Sequence, residues 1–276
     1  MKALKALLAL IIALPLVTVA ATGERIIALA GDVTEIIYAL GAQSALVARD
    51  STSQWPPEVT VLPDVGYLRQ LNAEGILAMR PGLVLVSGQA QPSLTLRQLE
   101  QSGVNVITIP DNNDLRTIDE KVRIIALATG HPAEGESLRA TLRKTIAALP
   151  TTALNKRVLF ILDHSGMNTM TAGQHTATDA AIRAAGLQNA MQGFSRYQPL
   201  TREGVIASRP DVVVIPKEGL AVIGGEEALW ALPGLAQTPA GQHKQVLAVD
   251  DMALLGFSVR TPQAILQLRA KAESLP

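Results

Sequence analysis

The sequence predicts an α/β protein of two similar Rossmann-like lobes, each with a parallel sheet, joined by one long helix and enclosing a ligand cleft. Three observations carry this. Short apolar runs alternate with helical patterns along the chain, as parallel strands and crossover helices require. The stretch Glu74-Gly75-Ile76-Leu77-Ala78-Met79-Arg80-Pro81 returns 129 positions later as Glu203-Gly204-Val205-Ile206-Ala207-Ser208-Arg209-Pro210, so the two halves share a plan. Between them, Leu138, Leu142, Ile146 and Leu149 recur at helical spacing after Pro132, a good first-turn residue.

The chain begins with Lys2 and Lys5, an almost wholly apolar run from Leu7 to Val19, and the small pair Ala20 and Ala21. This pattern predicts an export signal over residues 1–21. A retained membrane anchor is the weaker reading, because the run is short and Pro15 interrupts it. There is no cysteine, hence neither a lipidated N-terminal cysteine nor a disulfide, and an exported unlipidated chain fits a Gram-negative type of periplasm. The remaining chain, about 255 residues, is long enough for two real cores. A formal net charge of zero, with 17% charged residues, gives no sign of a nucleic-acid partner.

The first lobe is expected over 22–130. Arg25 to Ala30 reads as a strand, Thr34 to Leu40 as a helix ended by Gly41, and Ala45 to Ala48 as a second strand. A proline-rich polar loop with Trp55 follows, then the loop bearing Tyr67. Asn72 is placed to cap a short helix that Pro81 ends, with Glu74 in its first turn where the helix dipole favours an anion. Leu83 to Val86 is a buried strand. A helix closing over Arg97 to Ser102 and a strand over Val104 to Ile109 complete the sheet. Ile118 to Thr129 is helical. The joining helix, within 131–150, would span roughly 27 Å from Pro132 to Leu149 and act as a stiff spine.

The second lobe, 151–276, repeats the plan. Arg157 to Leu162 is a strand, Thr178 to Ala185 a helix, Thr201 a cap equivalent to Asn72, and Val212 to Ile215 and Gln245 to Val249 are strands. Thr261 to Ser274 forms a final helix.

Enzyme signatures are missing: there is no phosphate-binding glycine loop, no Gly-x-Gly-x-x-Gly, no Gly-x-Ser-x-Gly and no His-Glu-x-x-His. The four histidines, at 131, 164, 175 and 243, are scattered, which ranks divalent-metal binding low. Ligands of parallel α/β sheets bind beyond the carboxyl ends of strands. His164 directly follows one such strand, and Tyr67 lies in the loop at the same edge of the first lobe. One residue from each lobe would then face a shared cleft, with Phe194, Arg196 and Tyr197 in the second-lobe loop equivalent to that of Tyr67. Each residue alone could equally be a packed loop aromatic or a hydrogen-bonded turn histidine.

Gly66-Tyr67-Leu68-Arg69 and Leu255-Gly256-Phe257-Ser258-Val259-Arg260-Thr261-Pro262, with the two-lobe plan and the export signal, resemble the periplasmic haem-binding proteins of bacterial haem ABC importers. The resemblance covers essentially the whole mature chain. It implies Tyr67 as axial ligand to ferric haem, His164 as a ligand to a second, stacked haem, and therefore one or two haems bound. It also implies that Glu74 and Glu203 dock on arginines of a dimeric inner-membrane permease with its ATPase, supplied upstream by an outer-membrane haem receptor. Where many relatives have Gly-Pro before the arginine of the late segment, this chain has Ser258-Val259, which weakens a ligand role for Arg260.

A phenolate is a hard oxygen donor suited to Fe(III). Free tyrosine is protonated at neutral pH and needs the metal, and a cation such as Arg69, to ionise. Arg69 could equally grip a haem propionate. The competing readings are a carrier of ferric siderophore or cobalamin, which would want a wider, more basic or more aromatic cleft than 3% aromatic residues suggest. A metal-dependent enzyme using Asp163 and His164 is a lower alternative.

Overall fold

The computed structural model describes residues 24–163 and 169–275; the expected export signal and His164 fall outside the described residues. The first lobe runs β1 (Ile26–Leu29), α1 (Gly31–Ala39), β2 (Leu46–Arg49), α2 (Ala73–Ala78), β3 (Leu83–Ser87), α3 (Ser93–Gln101), β4 (Asn105–Ile109) and α4 (Leu115–Ala128). Its sheet is wholly parallel, in the order β2-β1-β3-β4. Helix α5 (Pro132–Ala147) leads to the second lobe: β5 (Arg157–Leu162), β6 (Met170–Ala172), α6 (Ala177–Ala184), β7 (Gln188–Asn189), β8 (Tyr197–Pro199), α7 (Arg202–Ser208), β9 (Val212–Pro216), α8 (Lys217–Val222), α9 (Glu226–Ala231), α10 (Pro239–Gln242), β10 (Val246–Val249), α11 (Asp251–Leu255) and α12 (Thr261–Glu273).

The second sheet departs from the purely parallel expectation. Its order is β10-β9-β5-β6-β8, with β7 also on β5. Strands β10, β9, β5 and β7 are parallel, whereas β6 pairs antiparallel with both β5 and β8. The antiparallel flank carries Tyr197, which packs against the shared core.

Strand periodicity sorts the core into three layers. Ile26, Ala28, Leu83 and Leu85 of the first sheet join Val158, Phe160, Val212 and Val214 of the second in one continuous buried cluster. The alternate residues, Ile27, Leu29, Val84 and Val86, face a separate cluster under α2 and α3. Leu159, Ile161, Val213 and Ile215 do the same in the second lobe with Trp230. The lobes therefore share an interior. Helix α5, 16 residues long and so about 24 Å, is seated on that interior through Leu142 rather than bridging open solvent. It ends two residues earlier than its apolar spacing suggests. It also lies so close on α4 that a Cβ at Gly135 would come within 2.4 Å of the Ala126 Cβ.

A polar weld adds to the shared core. The buried Lys121 of α4 donates to Asp32 of α1 at 2.6 Å and to the Gly256 carbonyl of the second lobe at 3.0 Å, with Asp111 at 3.5 Å. Glu35 of α1 accepts from Ser258 at 2.6 Å and from Arg260. A glycine permits this approach: a Cβ at Gly31 would stand 2.8 Å from the Thr52 carbonyl oxygen and 3.0 Å from the Cε of Met252 in the second lobe.

The duplicated unit is the same in both lobes down to its hydrogen bonds. Asn72 Oδ1 accepts from the Gly75 amide and Thr201 Oγ1 from the Gly204 amide, each at 3.1 Å. Met79 and Ser208 occupy equivalent places, and an arginine at the start of each lobe's first strand reaches that carbonyl, Arg25 at 2.7 Å and Arg157 at 3.3 Å. Arg80 and Arg209 both turn into the left-handed region, at φ 49° and 45°, before their prolines. Asn72→Ala or Thr201→Ala is expected to cost about 1 kcal/mol each, read as a lowered midpoint in urea unfolding.

Candidate functional site

A 2-1-3-4 sheet reverses its direction of winding between β1 and β3, and a ligand crevice opens beyond the carboxyl ends at such a point. Tyr67 stands at that edge. Its loop is tied down on every side: the Gly66 carbonyl accepts from the Ser51 amide at 3.0 Å, the Gly66 amide donates to Asp64 Oδ1 at 2.8 Å, and the Tyr67 carbonyl accepts from the Gln70 amide at 2.7 Å. Arg49 holds Asp64 at 3.2 Å, and Gln91 exchanges backbone bonds with Leu68 and Leu71 at 2.8 and 2.9 Å. Gly66, at φ 99°, makes the turn that a side chain would resist. The backbone is fixed while the Tyr67 ring remains 40% exposed, an arrangement suited to presenting the phenol oxygen to a ligand.

Arg69, two residues on, hydrogen-bonds Gln89. Its charge also reaches the second lobe. Burial pushes the Tyr197 phenol above the usual tyrosine range, against the Thr178 hydrogen bond and the Arg69 charge, both of which pull it down. Tyr197 lies on β8, half-buried, its hydroxyl 3.0 Å from Thr178 Oγ1. Arg196 precedes it with its side chain exposed and its backbone at φ 69°, tied to Gly173 and Gln174 by backbone bonds of 2.9 and 3.1 Å. Tyr67 and Arg69 thus share one loop of the first lobe, and Tyr197 lies on β8 of the second.

Arg260 is differently occupied. Its guanidinium binds Asp250 at 2.9 Å and Glu35, and lies 4.6 Å from the centre of the Trp55 ring. Burial raises the Glu35 carboxyl, with Arg260 opposing. Trp55, Glu35 and Asp250 have no motif around them; low aromatic content was the only sequence signal favouring Trp55. Glu74 and Glu203 are exposed at the starts of α2 and α7. Each of these helices feeds the next parallel strand, so both acids stand on the carboxyl-edge side of their sheets. A separate concavity of about 860 Å³ opens on the second lobe between α6, α7 and β8, lined by Arg157, His175, Asp179 and Met191 among others. It contains none of Tyr67, Arg69 and Tyr197. Among the described residues no group of three or more His, Cys, Asp or Glu could hold a metal ion, and no helix is long and apolar enough to cross a membrane.

The family model described as "Periplasmic binding protein" matches residues 26–253. The chain belongs to the periplasmic binding protein family. Among solved structures, this family member is similar to the periplasmic heme-binding protein RhuT from Roseiflexus sp. RS-1. The two are 40% identical, with a TM-score of 0.85, over 91% of this chain and 98% of RhuT. It is equally similar to the periplasmic heme-binding protein BhuT in complex with two hemes: 40% identity, TM-score 0.83, over 90% of this chain and 97% of BhuT. A vitamin B12-binding protein of Vibrio vulnificus is 27% identical over 90% of each chain. As a family of substrate-binding components of transport, these relatives place the chain in the periplasm and make it a binding protein rather than an enzyme.

Proposed function

We propose that this periplasmic binding protein captures ferric haem in the cleft between its lobes and delivers it to an inner-membrane ABC importer for haem and iron uptake. The observation that carries the reading is Tyr67, an exposed phenol on an immobilised loop at the sheet crevice. Tyr67 is the axial ligand, its oxygen matched to Fe(III). With Arg196, the Arg69 guanidinium supplies donors for the propionates. Tyr197, kept protonated by burial, serves as a neutral hydrogen-bonding wall. His164 is the candidate ligand for a second haem, a stoichiometry that the two-heme form of BhuT supports. Arg260 is the remaining cleft candidate; its two carboxylate partners favour a structural share in the site.

Cobalamin is the second reading, favoured by the vitamin B12-binding relatives. Their identity to this chain, 27–28%, against 40% for RhuT and BhuT supports haem. Gel filtration of the protein after incubation with equimolar hemin and cyanocobalamin tests this: hemin is expected to travel with the protein, and cyanocobalamin alone travelling with it would overturn the reading.

Glu74 and Glu203 are the docking anions for a two-fold permease, one per lobe, upstream of the ATPase; an outer-membrane haem receptor is the source of ligand. Exposed ion pairs are individually worth about 0–1 kcal/mol, so single replacements are expected only to slow transport. The double change Glu74→Ala with Glu203→Ala is expected to cripple permease-dependent haem uptake into vesicles while leaving hemin affinity and thermal stability nearly intact. Normal uptake would leave the acids with only a helix-dipole role.

A further inference from the structure

Six large apolar side chains stand out as exposed among the described residues, and three of them, Trp55, Val61 and Tyr67, lie in the connection that follows the carboxyl end of β2. Single exposed apolar residues are ordinary. Trp55 and Tyr67 share the loop beyond the β2 carboxyl end, where a crevice for a large apolar ligand opens in such sheets. Tyr67 supplies an oxygen, which leaves Trp55, 43% exposed, as the largest apolar surface without a role.

Trp55 is held as firmly as the ligand loop. The turn before it is fixed by Thr52 Oγ1, which accepts from the Gly31 amide at 3.1 Å, and by Ser53 Oγ, 2.7 Å from both Thr34 Oγ1 and Asp50 Oδ1. Its ring is held by the Arg260 guanidinium at 4.6 Å. That guanidinium is fixed in turn by Glu35 of the first lobe and Asp250 of the second. Two carboxylates already answer its one positive charge, so Arg260 is poorly placed to serve a ligand propionate and well placed to orient an indole. A rigid aromatic contact also loses little side-chain entropy on binding.

We propose that Trp55 is the aromatic wall that packs on the face of the bound porphyrin, and that Arg260 is its positioning residue. The inference rests on the haem reading above and adds to it which residue meets the macrocycle. Offset aromatic stacking contributes beyond simple area burial. On that scale Trp55→Ala is expected to weaken hemin binding about 10-fold, Trp55→Phe to retain most of the affinity, and Trp55→Leu to resemble the alanine variant. The iron-ligand absorption signature should stay unchanged in all three, because Tyr67 is untouched.

The test is a hemin titration of wild type, the three Trp55 variants, Arg260→Lys and the double variant Trp55→Ala with Arg260→Lys. Each end point is also read by circular dichroism in the Soret band, which senses aromatic transitions near the haem. Lysine keeps the charge beside Glu35 and Asp250 but lacks the planar face for stacking. The expected result is a changed Soret signal in Trp55→Ala, weaker binding in Arg260→Lys, and a double variant no weaker than Trp55→Ala alone, because Arg260 acts through the indole. Wild-type affinity and an unaltered Soret signal in Trp55→Ala would overturn the wall, and additive losses would overturn the positioning role. Failure of wild type to bind hemin would instead overturn the haem reading itself.

Discussion

Replacing Tyr67 by alanine is expected to abolish or severely weaken ferric haem binding in a protein that still folds. Loss of residues that merely support a metal ligand costs 10–100-fold, so loss of the ligand itself should exceed about 100-fold, or about 2.8 kcal/mol. Folding should survive, because the ring is largely outside the core and the loop is held by backbone bonds that alanine keeps. Tyr67→Phe separates the two contributions of the side chain: the ring remains and the oxygen is lost. Titration with hemin, followed by absorption, should find both variants equally deficient. A phenylalanine variant that titrates like wild type would reduce Tyr67 to an apolar contact.

Lys121→Met is expected to have the largest effect on stability. Its ammonium is wholly buried, between Asp32 at 2.6 Å and Asp111 at 3.5 Å, and it reaches across the lobes to the Gly256 carbonyl. Removing one partner of a buried pair leaves the other uncompensated, at a cost of about 3–5 kcal/mol. Burial already pushes the Asp32 carboxyl up, with Lys121 opposing and Asp111 adding to the rise. The variant therefore favours a protonated Asp32, which draws the cost toward the lower end. Urea unfolding at neutral pH measures it. Adding Asp32→Leu should recover much of the loss, since an apolar pair avoids the desolvation of both ions. A loss below about 1 kcal/mol in Lys121→Met would show that the weld contributes little to holding the lobes together.

Much of this was legible in the sequence. The repeat from Glu74 to Glu203 announced two lobes of one design, and the residues read as caps, Asn72 and Thr201, do accept the expected amides. Local chemistry fixes such features, so a short window contains them. The antiparallel flank was not legible because Met170–Ala172 and Tyr197–Pro199 are three residues each, too short for a period of two to register. Helix α3 closes just before Gly103, as the sequence indicates, whereas its start at Ser93 has no capping side chain to announce it. Lys121 stands three residues after Ile118 and four before Ile125, on the buried stripe of α4, but its partner Asp32 is 89 positions away, so only the tertiary fold shows what answers its charge. Trp55 and Arg260 meet for the same reason, from far-separated parts of the chain. At the site, the Gly66-Tyr67-Leu68-Arg69 loop reads as a ligand-bearing loop, whereas Arg260 is occupied by Glu35, 225 positions away, and by Asp250, a pairing no short window contains.

The most direct test of the central claim, that Tyr67 is the iron ligand in a haem-carrying cleft, is resonance Raman spectroscopy of the wild-type protein loaded with hemin, beside the Tyr67→Phe variant. The expected result is a set of tyrosinate ring modes enhanced through the phenolate-to-iron charge transfer in the wild type and absent from the variant. Tyrosinate modes of equal strength in Tyr67→Phe, or none in the wild-type complex, would contradict it.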